Sequence, residues 1–221
     1  LIEVDGPIIL LKNKYPVLEN AYQTVLIETD DCHGELSTYD LPFLHRLLQF
    51  AIRNWLEMDK TGKYESVIFY KNHGPLSGGT LAHPHMQIIG LNDINYKENI
   101  TEEVFEGILI EEKDGVRFTL STKPKVCFYE FNIDMEDSSY NETFGINLQK
   151  AVHYILYHFP FKAGSYNLFF HHYNRRIYVK IVPRFVTTPL YIGYGIPQVP
   201  NNLHWMADDF KSKYFENKGS A

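Results

Sequence analysis

Two kinds of hydrophobic pattern alternate along this chain. Residues 7–12 (PIILLK) and 23–29 (QTVLIET) are short, apolar and β-branched, which predicts strands. From residue 41 to 58 the period lengthens, and Leu41, Leu44, Leu47, Leu48, Ala51, Ile52, Trp55 and Leu56 fall on one helical face. Ser37, Thr38 or Asp40 is placed to cap that helix, and Thr61-Gly62 lies beyond its end. A strand at 66–71 (SVIFYK), a glycine-rich loop at 72–82 and a strand at 83–91 complete the first half. The second half repeats the order. Runs at 107–112 and 116–121 flank Asp114-Gly115, a hairpin signal, and 125–133 predicts a third strand. Phe144, Leu148, Ala151, Val152, Ile155, Leu156 and Phe159 mark a second helix, ended by Pro160. Strands at 166–171 and 177–182 follow, and 203–215 predicts a short terminal helix.

The repeat predicts an α+β fold of two duplicated modules, 1–100 and 101–221, each with antiparallel strands and one main helix. The modules are expected to share a sheet or to pack sheet against sheet. Composition narrows the partners. The 221 residues carry 21 Lys plus Arg against 27 Asp plus Glu, a formal charge of −6, which argues against nucleic acid. No apolar run approaches the ~18 residues needed to cross a bilayer, so no membrane partner is expected. Glu3 and Asp5 stand where a signal peptide carries positive charge, and only Cys32 and Cys127 are present. A cytoplasmic setting is the expectation.

The chemistry-bearing residues concentrate at 72–87, NHGPLSGGTLAHPHMQ. On a strand, alternate side chains share a face, so His83, His85 and Gln87 are expected to project together. Gly74, Gly78 and Gly79 admit close backbone approach, and N–H groups of such a loop make a nest for phosphate oxygens. Thr80 adds a hydroxyl and His73 a donor when protonated. An imidazole beside such a cradle can attack phosphorus and form a covalent phosphoramidate, splitting one hard displacement into two. It does so near pH 7 without an unusual pKa.

The string Gly-x-x-x-Gly-Gly-Thr-x-x-His-Pro-His-x-Gln resembles the active-site signature of the galactose-1-phosphate uridylyltransferase branch of the histidine triad superfamily. The segments NKYPVL at 13–18, DCH at 31–33 and 67–74 also resemble that family, in order. The resemblance implies a nucleotidyltransferase of the UDP-hexose and hexose-1-phosphate type. His85 would be the nucleophile and Gln87 would bond the phosphoryl oxygens. Asn72, Gly78, Gly79 and Thr80 would hold the phosphates and Asn13 the nucleotide. His33 and His83 would be two of four ligands to a structural zinc, with the family's Cys-x-x-Cys pair expected upstream of Leu1. Hydrolases of the superfamily place a third histidine at the Gln87 position. Glutamine bonds phosphate but does no acid–base work near neutrality, which favours transfer. A nucleotide-sugar or dinucleoside polyphosphate phosphorylase or hydrolase, or a non-catalytic nucleotide binder, is the alternative reading. A homodimer is a further expectation of the resemblance.

The second half matches in layout more than in chemistry. Where the family has a second metal-binding His-x-His, this chain has Tyr178 and Lys180, and Gly195 stands at the family's hexose-gripping glutamate. His45, His153 and His158 lie on predicted helices and are read as packing residues. His171-His172 beside Arg175-Arg176 is read as a solvated cationic turn in preference to a site for an anionic acceptor, and the aromatic tail (Tyr191, Tyr194, Trp205, Phe210) as surface buried against a neighbour.

Overall fold

Asp40 sets the start of the first long helix, its carboxylate accepting from the Phe43 N–H at 2.8 Å. In the computed structural model, which describes residues 1–138 and 140–216, this helix is α1, Leu41–Lys60. The last five residues of the second expected module, 217–221, lie outside the described residues. The α1 stripe of Leu44, Leu47, Leu48, Ala51, Ile52 and Trp55 is buried, and the Trp55 indole donates to Val67 O at 2.9 Å. Helix α2, Glu142–Tyr157, is capped by Asn141 and buries Phe144, Leu148, Ala151, Val152 and Ile155. Two short helices, α3 (Pro189–Tyr194) and α4 (Leu203–Tyr214), close the chain. The sequence reading gave α4 but not α3, which buries none of its six residues. No helix of the described residues is long and apolar enough to cross a membrane.

The strands are β1 (Glu3–Asp5), β2 (Ile8–Lys12), β3 (Ala21–Ile27), β4 (Ser66–His73), β5 (His85–Leu91), β6 (Gly107–Lys113), β7 (Val116–Ser121), β8 (Phe131–Glu136), β9 (Tyr166–Tyr173) and β10 (Arg176–Pro183). They form one antiparallel sheet in the order β1-β2-β3-β5-β4-β9-β10-β8-β7-β6. Read outward from the middle, β4-β5-β3-β2-β1 mirrors β9-β10-β8-β7-β6, so the two halves share a sheet about an approximate two-fold axis. At the β4–β9 seam Phe69 pairs with Phe170 and Tyr70 with Phe169. Phe69 and Phe170 stack at 4.1 Å on the helix side, within the core. Both long helices cover that one face. The alternate positions, beginning with Tyr70 and Phe169, make up the other.

Two strands begin at least two residues later than the pattern predicts, for different reasons. β5 starts at His85, because Pro84 has no N–H for the ladder. β8 starts at Phe131 rather than 125. The buried Glu130 carboxylate accepts from the N–H groups of Lys125 (2.9 Å), Val126 (2.8 Å) and Cys127 (3.3 Å), folding that stretch into a loop. The Asp114-Gly115 hairpin forms as expected, with φ of 53° and 78°.

His171 and His172 are not a solvated turn. They lie on β9, and His172 is clamped by Asp137 at 2.8 Å and Asp59 at 3.5 Å, with Lys97 also on Asp59 at 2.9 Å. The Asp59 bond, helped by Asp137 and opposed by burial, raises the His172 pKa above 6.5. A raised folded-state pKa contributes stability that is fully present below the unfolded value and is lost as pH rises through the folded one. The urea midpoint of the wild type is therefore expected to fall relative to that of His172→Asn as pH increases above 6.5. A difference that stays flat with pH would rule the clamp out as an energetic feature. In the tail, Phe210 is fully buried, whereas Tyr194 and Trp205 remain 78% and 52% exposed.

Candidate active site

The register of the sheet places the chemistry. On the helix-free face, Val25, Gln87, Tyr70, Phe169, Lys180 and Asn132 stand side by side on consecutive strands. His85 lies two residues before Gln87 on β5 and shares its face. Its Nδ1 is 2.8 Å from His83 O. A carbonyl only accepts, so the ring proton is on Nδ1 and Nε2 carries the free lone pair. Burial lowers the His85 pKa from 6.5, with the Lys71 and His83 charges adding to the effect and the His83 carbonyl opposing it. The ring is therefore neutral near pH 7.

Seven expected residues converge here. Asn13, Asn72, Gly78, Gly79, Thr80, His85 and Gln87 line one cavity of about 520 Å³, with Tyr15, Val17, Val25, Tyr70 and Leu81 as its less polar walls. The glycine-rich loop that closes it is anchored at its start. Gly74 has φ +83°, and a Cβ there would lie 2.3 Å from Gly164 O. Ser77 Oγ donates to Gly74 O at 2.7 Å, and Gly79 N donates to Ser77 Oγ at 3.3 Å. Asn13 Oδ1 accepts from Tyr15 N at 2.9 Å, which shapes the opposite wall.

The two proposed metal ligands lie elsewhere. His83 precedes β5, so the expected common face with His85 and Gln87 does not extend to it. Its Nε2 meets Thr29 O at 2.7 Å, leaving Nδ1 as its lone pair. His33, Cys32, Glu35, His73 and His83 line a neighbouring cavity of about 610 Å³ that shares only Asn72, Gly79, Thr80 and Leu81 with the first. Among the described residues no three His, Cys, Asp or Glu side chains gather as a metal cluster. The residues present do not close a four-ligand zinc shell. His73 is not a charged phosphate donor either. It stacks on Tyr166 at 4.8 Å, and burial lowers its pKa.

Sequence reasoning missed several supports of the site. Lys71 is 2% exposed and ion-paired with the fully buried Glu28, and its Nζ also donates to His85 O at 3.3 Å. Tyr39 OH donates to the other Glu28 oxygen at 3.0 Å. From the second half, Asn167 Nδ2 donates to Asn72 Oδ1 at 2.6 Å and to Ser77 O at 3.0 Å, and Arg184 Nη1 donates to Asn167 Oδ1 at 2.6 Å. Ser165 Oγ accepts from Leu76 N at 3.0 Å. The second module thus braces the loop of the first.

The mirror-related positions of the second module are those of Tyr178 and Lys180. Tyr178 stacks on Phe105 at 4.0 Å. The Lys180 ammonium meets Val104 O (2.8 Å), Asn132 Oδ1 (2.9 Å), Glu130 (3.2 Å) and Ser121 Oγ (3.3 Å).

The same fold is found in solved structures described as a uridylyltransferase and an ADP-glucose phosphorylase. A structure described as a uridylyltransferase matches 93% of this chain and 85% of its own, at 15% identity and TM-score 0.72. An ADP-glucose phosphorylase from Arabidopsis thaliana, with bound ADP-glucose, matches 91% of this chain and 80% of its own, at 17% identity and TM-score 0.74. The chain itself belongs to the DUF4931 family. Residues 1–94 match the domain of unknown function (DUF4931) N-terminal domain and residues 97–215 its C-terminal domain. A DUF4931 family protein from Bacillus cereus, solved by crystallography, is 41% identical over 97% of this chain and 99% of its own, at TM-score 0.88. No curated protein matches the chain.

Proposed function

We propose that this protein is a nucleotidyltransferase that passes a nucleoside monophosphate through His85 from a nucleoside diphosphate-linked donor to a phosphorylated acceptor. The observation that carries the reading is one neutral imidazole, proton fixed on Nδ1, sharing a cavity with a glycine-rich loop and Gln87. In the first displacement, His85 Nε2 attacks the α-phosphorus, an N–P bond forms, and the P–O bond to the leaving phosphate breaks. The departing oxygen takes the electron pair. The imidazole becomes cationic, and the bond from Nδ1–H to His83 O strengthens as it does so. In the second, an acceptor phosphate oxygen attacks the same phosphorus and Nε2 recovers its lone pair. No net proton transfer is required, so a site without a nearby acid suffices.

The remaining residues hold charge and position. Thr80, Asn72 and the Gly78–Gly79 backbone line the cavity and would donate to phosphate oxygens. The Gly79 N–H, at 3.3 Å from Ser77 Oγ, would exchange a long neutral bond for a stronger charge-assisted one. Gln87 donates to the adduct without activating water.

The test is intact mass after incubation with UDP- and ADP-linked donors, followed by discharge. An adduct released by a phosphorylated acceptor supports transfer. Release by inorganic phosphate alone would make the protein a phosphorylase, release by water alone a hydrolase, and no adduct with any donor would overturn the reading. Because His85 has a lowered pKa, the adduct-forming rate is expected to hold as pH falls through 6.5 and to decline only below it. A rate already halved at 6.5 would contradict the geometry.

A further inference from the structure

A second cavity, of about 400 Å³, opens on the same face of the sheet, away from α1 and α2, and Tyr70 belongs to the walls of both. The row Gln87–Tyr70–Phe169–Lys180 is symmetric about the Tyr70–Phe169 pair, so this cavity occupies the mirror position of the candidate active site. His171, two residues beyond Phe169, stands where Asn72 stands beyond Tyr70. The duplicated place has kept its hollow and exchanged its chemistry. It has no glycine-rich loop, and its walls include the rings of Tyr70, Tyr96, Phe169 and His171, with Val182, Glu130 and Lys125 beside them.

Its polar groups are almost all engaged. Lys180, on its floor, already has four oxygen partners, so its charge is spent within the protein. Among its buried side-chain atoms the exception is His171 Nδ1, which has no hydrogen-bond partner, while the exposed Lys125 also lines the cavity. Burial drives the His171 pKa down to about 3, so the ring is neutral and offers a donor or an acceptor but no charge. An unpaired buried nitrogen is costly, and a ligand group that pairs with it recovers that cost.

We propose that this cavity is a subsite for the group carried on the phosphate that is not transferred, and that the group is an aryl or heteroaryl ring. The assignment rests on the nucleotidyl-transfer reading for the word transferred, and on the cavity alone for the ring. A hexose presents hydroxyls around its whole edge, and each needs a partner once water is removed. Here it would meet ring faces. A flat aromatic group stacks on such walls and needs one polar contact, which His171 supplies. The spacing agrees. Phe169 lies two strands from Gln87, about 10 Å at ordinary strand separation, a distance that a bridging phosphate and a short spacer cover.

The test is calorimetric titration of the full chain with 1-naphthyl phosphate and, separately, with glucose 1-phosphate. The aryl phosphate is expected to bind at least tenfold more tightly. Val182→Phe, which fills the cavity, and Phe169→Ser, which removes a wall, are each expected to weaken it at least fivefold, with folding checked by the melting transition. On the unmodified chain, naphthyl protons should give NMR contacts to the Val182 methyl groups. Equal or tighter binding of glucose 1-phosphate, or naphthyl contacts elsewhere, overturns the proposal. Adduct formation with no aryl preference would defeat this inference and leave nucleotidyl transfer standing, and aryl preference with no adduct would do the reverse.

Discussion

His85→Gly is expected to remove adduct formation and to lower turnover by roughly 10⁴-fold or more, the scale on which loss of a covalent nucleophile acts. Nucleotide affinity should stay within a few-fold. The two outcomes separate because different atoms produce them. Under this reading affinity comes from the loop at 78–80, Asn72 and the Asn13 wall, which line the cavity with the His85 ring. The N–P bond needs Nε2, and no other imidazole lines that cavity. His83 and His73 line the neighbouring one, and the His83 ring is turned back onto Thr29 O. They cannot substitute. Single-turnover labelling read by intact mass, with a nucleotide titration alongside, checks both halves. Labelling that survives in His85→Gly would remove the nucleophile assignment. Affinity lost along with labelling would mean that the ring shapes the cavity rather than reacts in it.

The largest stability effect is expected at Lys71, which no substrate needs to touch. Lys71→Met leaves the Glu28 carboxylate buried with only Tyr39 OH as a partner. Removing one member of a buried ion pair typically costs about 3–5 kcal/mol, because the remaining charge is unpaired. The loss also frees His85 O, which Lys71 holds at the first residue of β5. Glu28→Gln in the Lys71→Met background removes the orphaned charge and should recover part of the stability. Urea midpoints of the two variants provide the measurement. A cost under about 1 kcal/mol for Lys71→Met, the range of an exposed pair, would show that water reaches this site.

Much of the fold and the site was legible in the sequence because both are written in local patterns. Alternation fixes the faces of β4 and β5, and helical periodicity fixes the buried stripe of α1. The glycine-rich string puts a loop directly before the reactive strand. What stayed hidden depends on contacts between distant residues. Asn167 reaches Asn72 across 95 positions, and Lys71 reaches Glu28 across 43. Nothing local distinguishes Asn167 from any other polar strand residue. The two misplaced strand starts have a different origin. At Pro84 a missing N–H ends the ladder, which the sequence does signal. At 125–130 a buried carboxylate competes with the ladder for three N–H groups, and only the tertiary fold puts Glu130 where it can do so. The replacement of the second-module pair by Tyr178 and Lys180 was visible as letters, whereas the four oxygens around the ammonium were not.

The β4–β9 seam has a bearing on how this chain can be cut. A fragment ending before residue 97 would leave β4 with a raw edge of unpaired amides and carbonyls, an invitation to stray intermolecular pairing. It would also expose Phe69, stripped of its stacking partner, and β5 would keep its imidazole but lose the scaffold behind the glycine-rich loop. Repetition in this chain is therefore a matter of layout, and each half is completed by the other at the β4–β9 seam.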